Sequence, residues 1–236
     1  MIAVSIVSHG HGAMVDRLIT QLQSCPEVSQ IVLTRNIPEV TESVYPDSVS
    51  VIENAAPSGF GANHNAAYRR CSEPYYCVLN PDIELDGNPF PVLLACLEAS
   101  GAAVAAPLIL SPEGNVEDSV RHFPTVGSLL RKALLGDDGN YAIDINAPSL
   151  FPDWAAGMFM LFRAAEFAVL GGFDERYFLY YEDVDICKRA WQAGMKVVVC
   201  PSVHAIHAAR RASRKNLRHM RWHLASMLRY LWRHRV

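Results

Sequence analysis

Apolar residues along this chain gather in short runs, and between several of the runs they recur three and four positions apart. Residues 2–7, 31–33, 49–52 and 75–79 are β-rich runs that end in polar or glycine-containing turns, which reads as four strands. Helical patterns occupy 13–23 and 62–70, and a further helix opens at Asn88. Residues 102–110 give a fifth strand, and 154–162 and 195–200 give two more, with Pro201 as a break after the last. Strands alternating with helices predict an α/β protein with a Rossmann-like, mainly parallel central sheet flanked by helices. In such sheets ligands bind beyond the carboxyl ends of the strands, so the residues just after each strand matter most. Residues 134–152, rich in Gly, Asp, Asn and Pro, read as a mobile loop beside the site.

Residues 209–236 are a basic tail, helical by pattern from Arg214. Leu217, Met220, Leu224, Met227, Leu228 and Leu231 share one apolar face, with Arg218, Arg221, Arg229 and Arg233 elsewhere. Such a helix either lies on an anionic bilayer surface or packs its apolar face onto the rest of the protein; both readings stay open. Charge sharpens the contrast. All 24 acids lie at or before Asp185, against 9 of the 21 Lys and Arg, a net of −15; the last 51 residues carry 12 basic residues and no acid. The tail therefore suits an anionic surface or ligand. Nucleic acid is a poorer partner, because no binding motif accompanies the charges and the remainder is acidic.

Half of the 236 residues are hydrophobic and 19% are charged, enough for a substantial core in one large or two small domains. The run at 2–7 has no basic region before it and reads as a first strand, not a signal peptide. No run approaches the roughly 18 apolar residues of a membrane span. The six cysteines (Cys25, Cys71, Cys77, Cys96, Cys187, Cys200) form no C-x-x-C pair and lie mostly in apolar surroundings. They read as reduced cysteines of a cytoplasmic protein.

The densest chemistry lies in GGFDERYFLYYEDVDICKRAWQAG, Gly171 to Gly194. An aromatic run, Tyr177, Phe178, Tyr180 and Tyr181, leads into Glu182, Asp183 and Asp185, and a helical pattern follows that stops at Gly194. The acids fall in the first turn of that helix, where the helix dipole favours ionised carboxylates. One cap needs one acid, so the surplus suits a general base beside aromatic faces that stack on a sugar. Upstream, Asn54-Ala-Ala-Pro-Ser-Gly-Phe-Gly-Ala-Asn-His-Asn65 places Gly59 and Gly61, which let the backbone approach a ligand, before Asn63 and Asn65 at a phosphate-attracting helix start. The strand at 75–79 ends in Asn80-Pro81-Asp82, which projects Asp82 from its carboxyl end. After the first strand, Ser8 or His9 can reach a base or ribose. Trp154 and Gly157 line a sugar and acceptor pocket, or Trp154 fills core.

The segment from Gly171 to Gly194 resembles the acceptor-side signature of the family 2 glycosyltransferases, of GT-A fold, in their rhamnosyltransferase-like branch. The likeness extends upstream through Asp153-Trp-Ala-Ala-Gly-Met-Phe-Met-Leu-Phe-Arg163 and downstream to His207. It implies a GT-A catalytic domain over 1–208, with 1–110 as the nucleotide-sugar-binding half and 111–208 as the acceptor-binding half. It also implies an inverting, metal-dependent transfer in which Asp183 is the catalytic base and Glu182 orients the acceptor, with Tyr181 beside them. Asp82, the last acid of a variant D-x-D motif, and His207 would hold a divalent cation, Mn²⁺ or Mg²⁺. Ser8, Asn36, Asn54, Gly59, Asn63, Asn65 and Asn80 would complete the site for a nucleoside-diphosphate sugar. Arg121, in Arg-His-Phe-Pro-Thr125, meets a phosphate or is a surface residue.

Two departures stand out: Ser8-His9-Gly10 replaces the usual Thr-Tyr-Asn, and Arg35-Asn36 stands where Asp-Asn is common. Rhamnose as the sugar, a saccharide or polyprenyl-diphosphate-linked acceptor, and a place on the inner face of a bacterial membrane follow from the resemblance alone. A sugar nucleotidyltransferase and a catalytically silent binding module are the alternatives.

Overall fold

The computed structural model describes residues 1–39, 43–136, 141–208 and 217–236. Its central sheet has eight strands: β1 (Ile2–Ser8), β2 (Val28–Arg35), β3 (Val49–Glu53), β4 (Tyr75–Leu79), β5 (Ile83–Leu85), β6 (Val104–Leu110), β9 (Phe159–Arg163) and β10 (Val197–His207). A second, two-stranded sheet pairs β7 (Val120–Arg121) with β8 (Trp154–Ala155). The helices are α1 (Ala13–Gln23), α2 (Phe60–Tyr68), α3 (Phe90–Ser100), α4 (Val126–Leu135), α5 (Ala164–Val169), α6 (Glu182–Gln192) and α7 (Leu217–His234).

The strand order is β3-β2-β1-β4-β9-β6-β10-β5. β3, β2, β1 and β4 run parallel, as do β6 and β10, whereas β9 is antiparallel to β4 and β6 and β5 is antiparallel to β10. The mixed α/β sheet flanked by helices is the architecture that the alternation of runs predicts. Strand β1 shows why the runs are continuous rather than alternating: Ile2, Val4 and Ile6 enter one core cluster while Ala3 enters the other, and all four are fully buried. On the first face α1 contributes Val15, Leu18, Ile19 and Leu22, an i, i+3, i+4, i+7 stripe. On the other face lie Phe167, Phe173, Ile186 and Cys187.

Three expectations change. The apolar run at 154–162 is two strands, β8 and β9, in different sheets, because Ala156, Gly157 and Met158 carry the chain from one to the other. Pro201 does not end a strand: β10 continues through it with an irregularity in register between Cys200 and His204, since proline is tolerated where ladder pairing is broken. Residues 134–152 are not simply a loop. The run up to Leu135 closes α4, whose N-terminus is fixed by a reciprocal Thr125–Ser128 capping box. Beyond it Tyr141, Ile143 and Leu150 pack on the core, and Leu150 bridges to Val199.

The cysteine expectation is corrected as well. Cys96 on α3 and Cys200 on β10 are joined in a disulfide with Cα atoms 6.7 Å apart. Packing of α3 on β10 unites residues 104 apart in sequence, which spacing rules for neighbouring cysteines cannot see. Cys25, Cys71, Cys77 and Cys187 are free. No helix among the described residues is long and apolar enough to cross a membrane.

Helix α7 packs on the body, but through only part of the face its leucines predict. Ser226 and Tyr230 are buried, Met227 and Leu231 pack against Tyr177, Tyr181 and Val184, and His219 and His223 meet Tyr180. Leu217, Met220, Leu224 and Leu228 remain exposed. The predicted apolar stripe is thus divided: Met227 and Leu231 join Ser226 and Tyr230 on the body, and its other four members face outward.

Candidate active site

The first three parallel strands end in an asparagine network. Asn36, just after β2, accepts hydrogen bonds at its Oδ1 from Asn54 Nδ2 (2.9 Å) and from the Ser58 backbone N–H (2.8 Å). Its own Nδ2 donates to Ser58 O at 3.0 Å, and Asn54 Nδ2 also donates to Asn63 Oδ1 at 2.7 Å. Buried amides need such partners; here they fix the loop between β3 and α2. Ser8 is buried at the end of β1, and its backbone carbonyl accepts from Asn36 N–H. Arg35 is paired with Glu53 at 2.6 Å, directly opposite it in the β2–β3 register. The cation that departs from the family pattern is thus neutralised within the sheet.

Gly59 and Gly61 do permit close approach, but the approaching atoms belong to the protein. A Cβ on Gly59 would lie 2.8 Å from the Phe178 carbonyl oxygen, and one on Gly61 would lie 2.7 Å from Phe173 Cβ. Asn65 likewise donates to Phe173 O (2.8 Å) and Glu175 (3.0 Å) and accepts from Phe173 N–H (2.9 Å). The residues from Gly59 to Asn65 therefore clamp α2 to the segment that precedes the acids.

Asp82 follows β4 and stands at the start of β5. Because β5 pairs antiparallel with the end of β10, His207 lies opposite Ile83 and its Nε2 comes 3.3 Å from Asp82 Oδ2. His207 Nδ1 is 2.7 Å from Glu117 Oε2. Burial works against the imidazolium, but the hydrogen bonds and charges of Asp82 and Glu117 outweigh it and hold His207 at about 9. Burial also disfavours the Asp82 carboxylate, and His207 reverses that and lowers its pKa. Asp82 Oδ1 is buried with no hydrogen-bond partner.

Among the described residues no group of three or more His, Cys, Asp or Glu side chains is arranged to hold a metal ion. Two protein ligands are nevertheless enough where nucleotide phosphates complete the shell of a hard cation. The orphaned Asp82 Oδ1, and an imidazole held against the other Asp82 oxygen by a carboxylate on its far nitrogen, fit that role. Glu117 is the residue that the sequence does not reveal: an acid beside Asp118 just after a turn carries no signal, and its N–H bond to Ile109 O together with the parallel pairing of β6 and β10 brings it to His207.

Asp183 is fixed by two backbone donors, Gly157 N–H to Oδ2 at 3.0 Å and Val184 N–H to Oδ1 at 2.8 Å. Burial raises its pKa, while those N–H groups oppose the rise. Glu182 is buried, its Oε2 has no partner, and burial reinforced by the adjacent Asp183 charge pushes it well above the ordinary glutamate range. The residues before them, Tyr180 and Tyr181, have φ of 71° and 68°. Left-handed backbone is costly for residues with a Cβ, and it collects at functional sites.

Asp185 differs from its neighbours. Fully buried, it accepts from Arg189 Nε (2.8 Å) and pairs with Arg233 (3.3 Å) and His234 (2.9 Å) of α7. Of the three acids, the structure turns this one away from the cleft and into a clamp on the C-terminal helix.

Asp82 and Asp183 stand at one end of the sheet. Asn80, two residues before Asp82, donates its N–H to Met158 O at 2.9 Å, and the next residue back, Gly157, is the donor to Asp183. Asp183, Glu182, Tyr181 and Trp154 line a cleft of about 640 Å³. Trp154 is held by its Nε1–H, which donates to His122 O at 3.1 Å. The cleft's further wall comes from Ser128, Leu129, Arg131 and Lys132 of α4 and His223 of α7. Arg121 also lines it, paired with Asp118.

No family model matches the chain. It is 31% identical over 252 residues to the rhamnosyltransferase WbbL of Escherichia coli (strain K12), with 100% of this chain and 94% of the relative covered. It is 29% identical over 233 residues to an N-acetylglucosaminyl-diphospho-decaprenol L-rhamnosyltransferase of Mycobacterium tuberculosis (strain ATCC 25618 / H37Rv), covering 88% of this chain and 76% of the relative. Among solved structures, GalNAc-T7 with UDP, GalNAc and Mn²⁺ superposes with a TM-score of 0.74 at 16% identity over 98% of this chain. The mannosyltransferase PcManGT of Pyrobaculum calidifontis, with GDP-Man and Mn²⁺, gives 0.64 at 12% identity over 97%. The chain spans 47% and 64% of those two proteins.

Proposed function

This chain belongs to the rhamnosyltransferase-like branch of the family 2 glycosyltransferases and has their GT-A fold, and from that premise we propose that it moves rhamnose from a nucleoside-diphosphate sugar to a hydroxyl of a polyprenyl-diphosphate-linked saccharide. The observation that carries the reading is the pair of backbone-held and orphaned carboxylates, Asp183 and Asp82, at one end of the sheet. Residues 1–208 act as the catalytic unit, with 1–110 on the donor side and 111–208 on the acceptor side.

Asp183 accepts the proton of the acceptor hydroxyl as that oxygen attacks the anomeric carbon from the face opposite the nucleotide. Its raised pKa makes it a better base than an ordinary aspartate, and two N–H bonds hold it in one orientation. A single displacement inverts the configuration. Glu182, whose protonated form burial and the Asp183 charge favour, orients the sugar through its carboxyl. Tyr181 and Trp154 give it apolar faces. On the donor side, Asn36, Asn54 and Asn63 hold the rim of the nucleotide pocket in shape, while Ser8 and Asn80 bound it at the ends of β1 and β4. Asp82 and His207 would hold Mn²⁺ or Mg²⁺, which when bound neutralises charge on the leaving diphosphate.

The exposed face of α7 supports membrane contact. Leu217, Met220, Leu224 and Leu228 lie outward beside Arg218, Arg221 and Arg229, the composition of a helix that rests on an anionic bilayer. It supports a working position at the inner face of the membrane, beside the polyprenyl-linked acceptor proposed above.

The test is incubation with dTDP-rhamnose, Mn²⁺ and a short-chain polyprenyl-diphosphate N-acetylglucosamine. A disaccharide whose new linkage is inverted relative to the donor, with release of dTDP, is expected. Retention of configuration, or release of pyrophosphate, would contradict the proposal.

A further inference from the structure

The cleft that holds Asp183 is also lined by Ser128, Leu129, Arg131 and Lys132 of α4 and by His223 of α7. Neither helix contains an acid: α4 reads VGSLLRKALL and α7 reads LRHMRWHLASMLRYLWRH. The two helices face each other across this space. Packing lowers the pKa of His223, and the charge of Lys132 lowers it further, so the side chains of opposite helices are within electrostatic reach. His223 is held in place by edge contacts with Tyr180 and Tyr181, both at 5.4 Å. The base and the sugar-facing aromatics therefore share one cleft with the cations of α4, and His223 adjoins Tyr180 and Tyr181. At about 640 Å³ the space exceeds what a reacting hydroxyl and its stacking partners require and falls in the range of pockets that enclose extended ligands.

We infer that Arg131 and Lys132 of α4, facing His223 of α7, form a subsite for the diphosphate of the acceptor. The chemistry recognised is a diphosphate ester, two adjacent anionic phosphates for which a guanidinium and an ammonium from one helix turn supply charge-assisted hydrogen bonds. The assignment rests on the reading of the chain as a transferase acting on a polyprenyl-diphosphate-linked sugar, and it adds how that acceptor is told from a neutral glycoside. It also gives α7 a second task beyond covering the core: Asp185 clamps Arg233 and His234, and the same helix carries His223 to the cleft.

The test is the double variant Arg131→Ala, Lys132→Ala in the full chain; both side chains are exposed, so its melting temperature should match the wild type. With farnesyl-diphosphate-linked N-acetylglucosamine, the acceptor KM is expected to rise about tenfold or more, with kcat and donor KM unchanged. With octyl N-acetylglucosaminide, the variant and the wild type should be equal. Equal losses on both acceptors, or no loss on either, would overturn the subsite.

A second measurement separates this inference from the proposed activity. If the wild type turns over neither acceptor, the activity fails, and the subsite is judged by direct binding of farnesyl diphosphate in detergent. Weakening by fivefold or more in the double variant supports it, and an unchanged Kd overturns it. If the variant loses binding to phosphatidylglycerol vesicles yet binds farnesyl diphosphate like the wild type, the cations serve the bilayer and the inference is wrong.

Discussion

Replacing Asp185 by alanine removes the acceptor shared by Arg189, Arg233 and His234. The carboxylate is fully buried and His234 is 3% exposed, whereas Arg189 and Arg233 are 15% and 29% exposed and recover some hydration when the carboxylate is lost. Breaking a buried ion pair costs about 3–5 kcal/mol, and the partial exposure of the arginines puts the expectation at the lower end, about 3 kcal/mol. At roughly 2–4 °C per kcal/mol for a chain of this size, the melting temperature should fall by about 6–12 °C. Asp185→Asn keeps one oxygen acceptor and should lose less. The assay is thermal melting followed by circular dichroism, with limited trypsin digestion, since α7 presents several arginines once it leaves the body. Accelerated cleavage in α7 should accompany the lower melting point. A melting point within 2 °C of the wild type would refute the clamp, as would unchanged melting with complete loss of turnover, which would make Asp185 a participant in the chemistry.

Three further outcomes follow from other parts of the structure. Gly61→Ala puts a methyl 2.7 Å from Phe173 Cβ; overpacking costs about 1–3 kcal/mol against at most about 1 kcal/mol of helix propensity regained, so urea denaturation should show net destabilisation, and a stabilised variant would contradict the packing. Glu182 has a raised pKa in the fold, so the native state binds the extra proton and stability falls as pH rises above the unfolded glutamate value through the folded one. Glu182→Gln should therefore gain in melting temperature relative to the wild type as pH increases over that window, and a pH-independent difference would dismiss the buried carboxyl. Asp82→Ala should lose the Mn²⁺-dependent part of nucleotide-sugar binding in calorimetry, and identical isotherms with and without Mn²⁺ in both proteins would remove Asp82 from the cation site.

Much of the scaffold was readable from hydrophobic pattern because the buried strands are continuous apolar runs. Residues 13–23 and 75–79 appear as α1 and β4 with those bounds. The pattern fails where the burial is polar. Helix α7 docks through Met227 and Leu231 of its apolar stripe but also through His219, His223, Ser226 and Tyr230, residues that hydropathy counts as outward-facing, so the leucine stripe located the docking face only in part. It fails again where contacts are long-range: Cys96 meets Cys200, and Glu117 meets His207, only through strand and helix packing. The acidic segment was visible as a unit, but its division of labour was not. Three carboxylates within one helix turn point in different directions, and spacing alone does not say that Asp183 faces Gly157 while Asp185 faces α7. The glycines at 59 and 61 signalled close approach to a ligand, whereas the structure sets Phe178 and Phe173 against them.

The central claim is that Asp183 is the base of a single displacement, and Asp183→Asn tests it most directly. The amide keeps one oxygen, enough for one of the Gly157 and Val184 N–H groups that donate to the two carboxylate oxygens, but cannot take a proton, so kcat should drop by about 10²–10⁴ while calorimetric affinity for the nucleotide sugar with Mn²⁺ stays within twofold. In the wild type kcat/KM should rise with pH through a midpoint above that of an ordinary aspartate, and in the variant that limb should vanish. Parallel loss of donor affinity and turnover, or an acid limb that survives the substitution, would mean that Asp183 only holds α6 against Gly157 and that the base lies elsewhere.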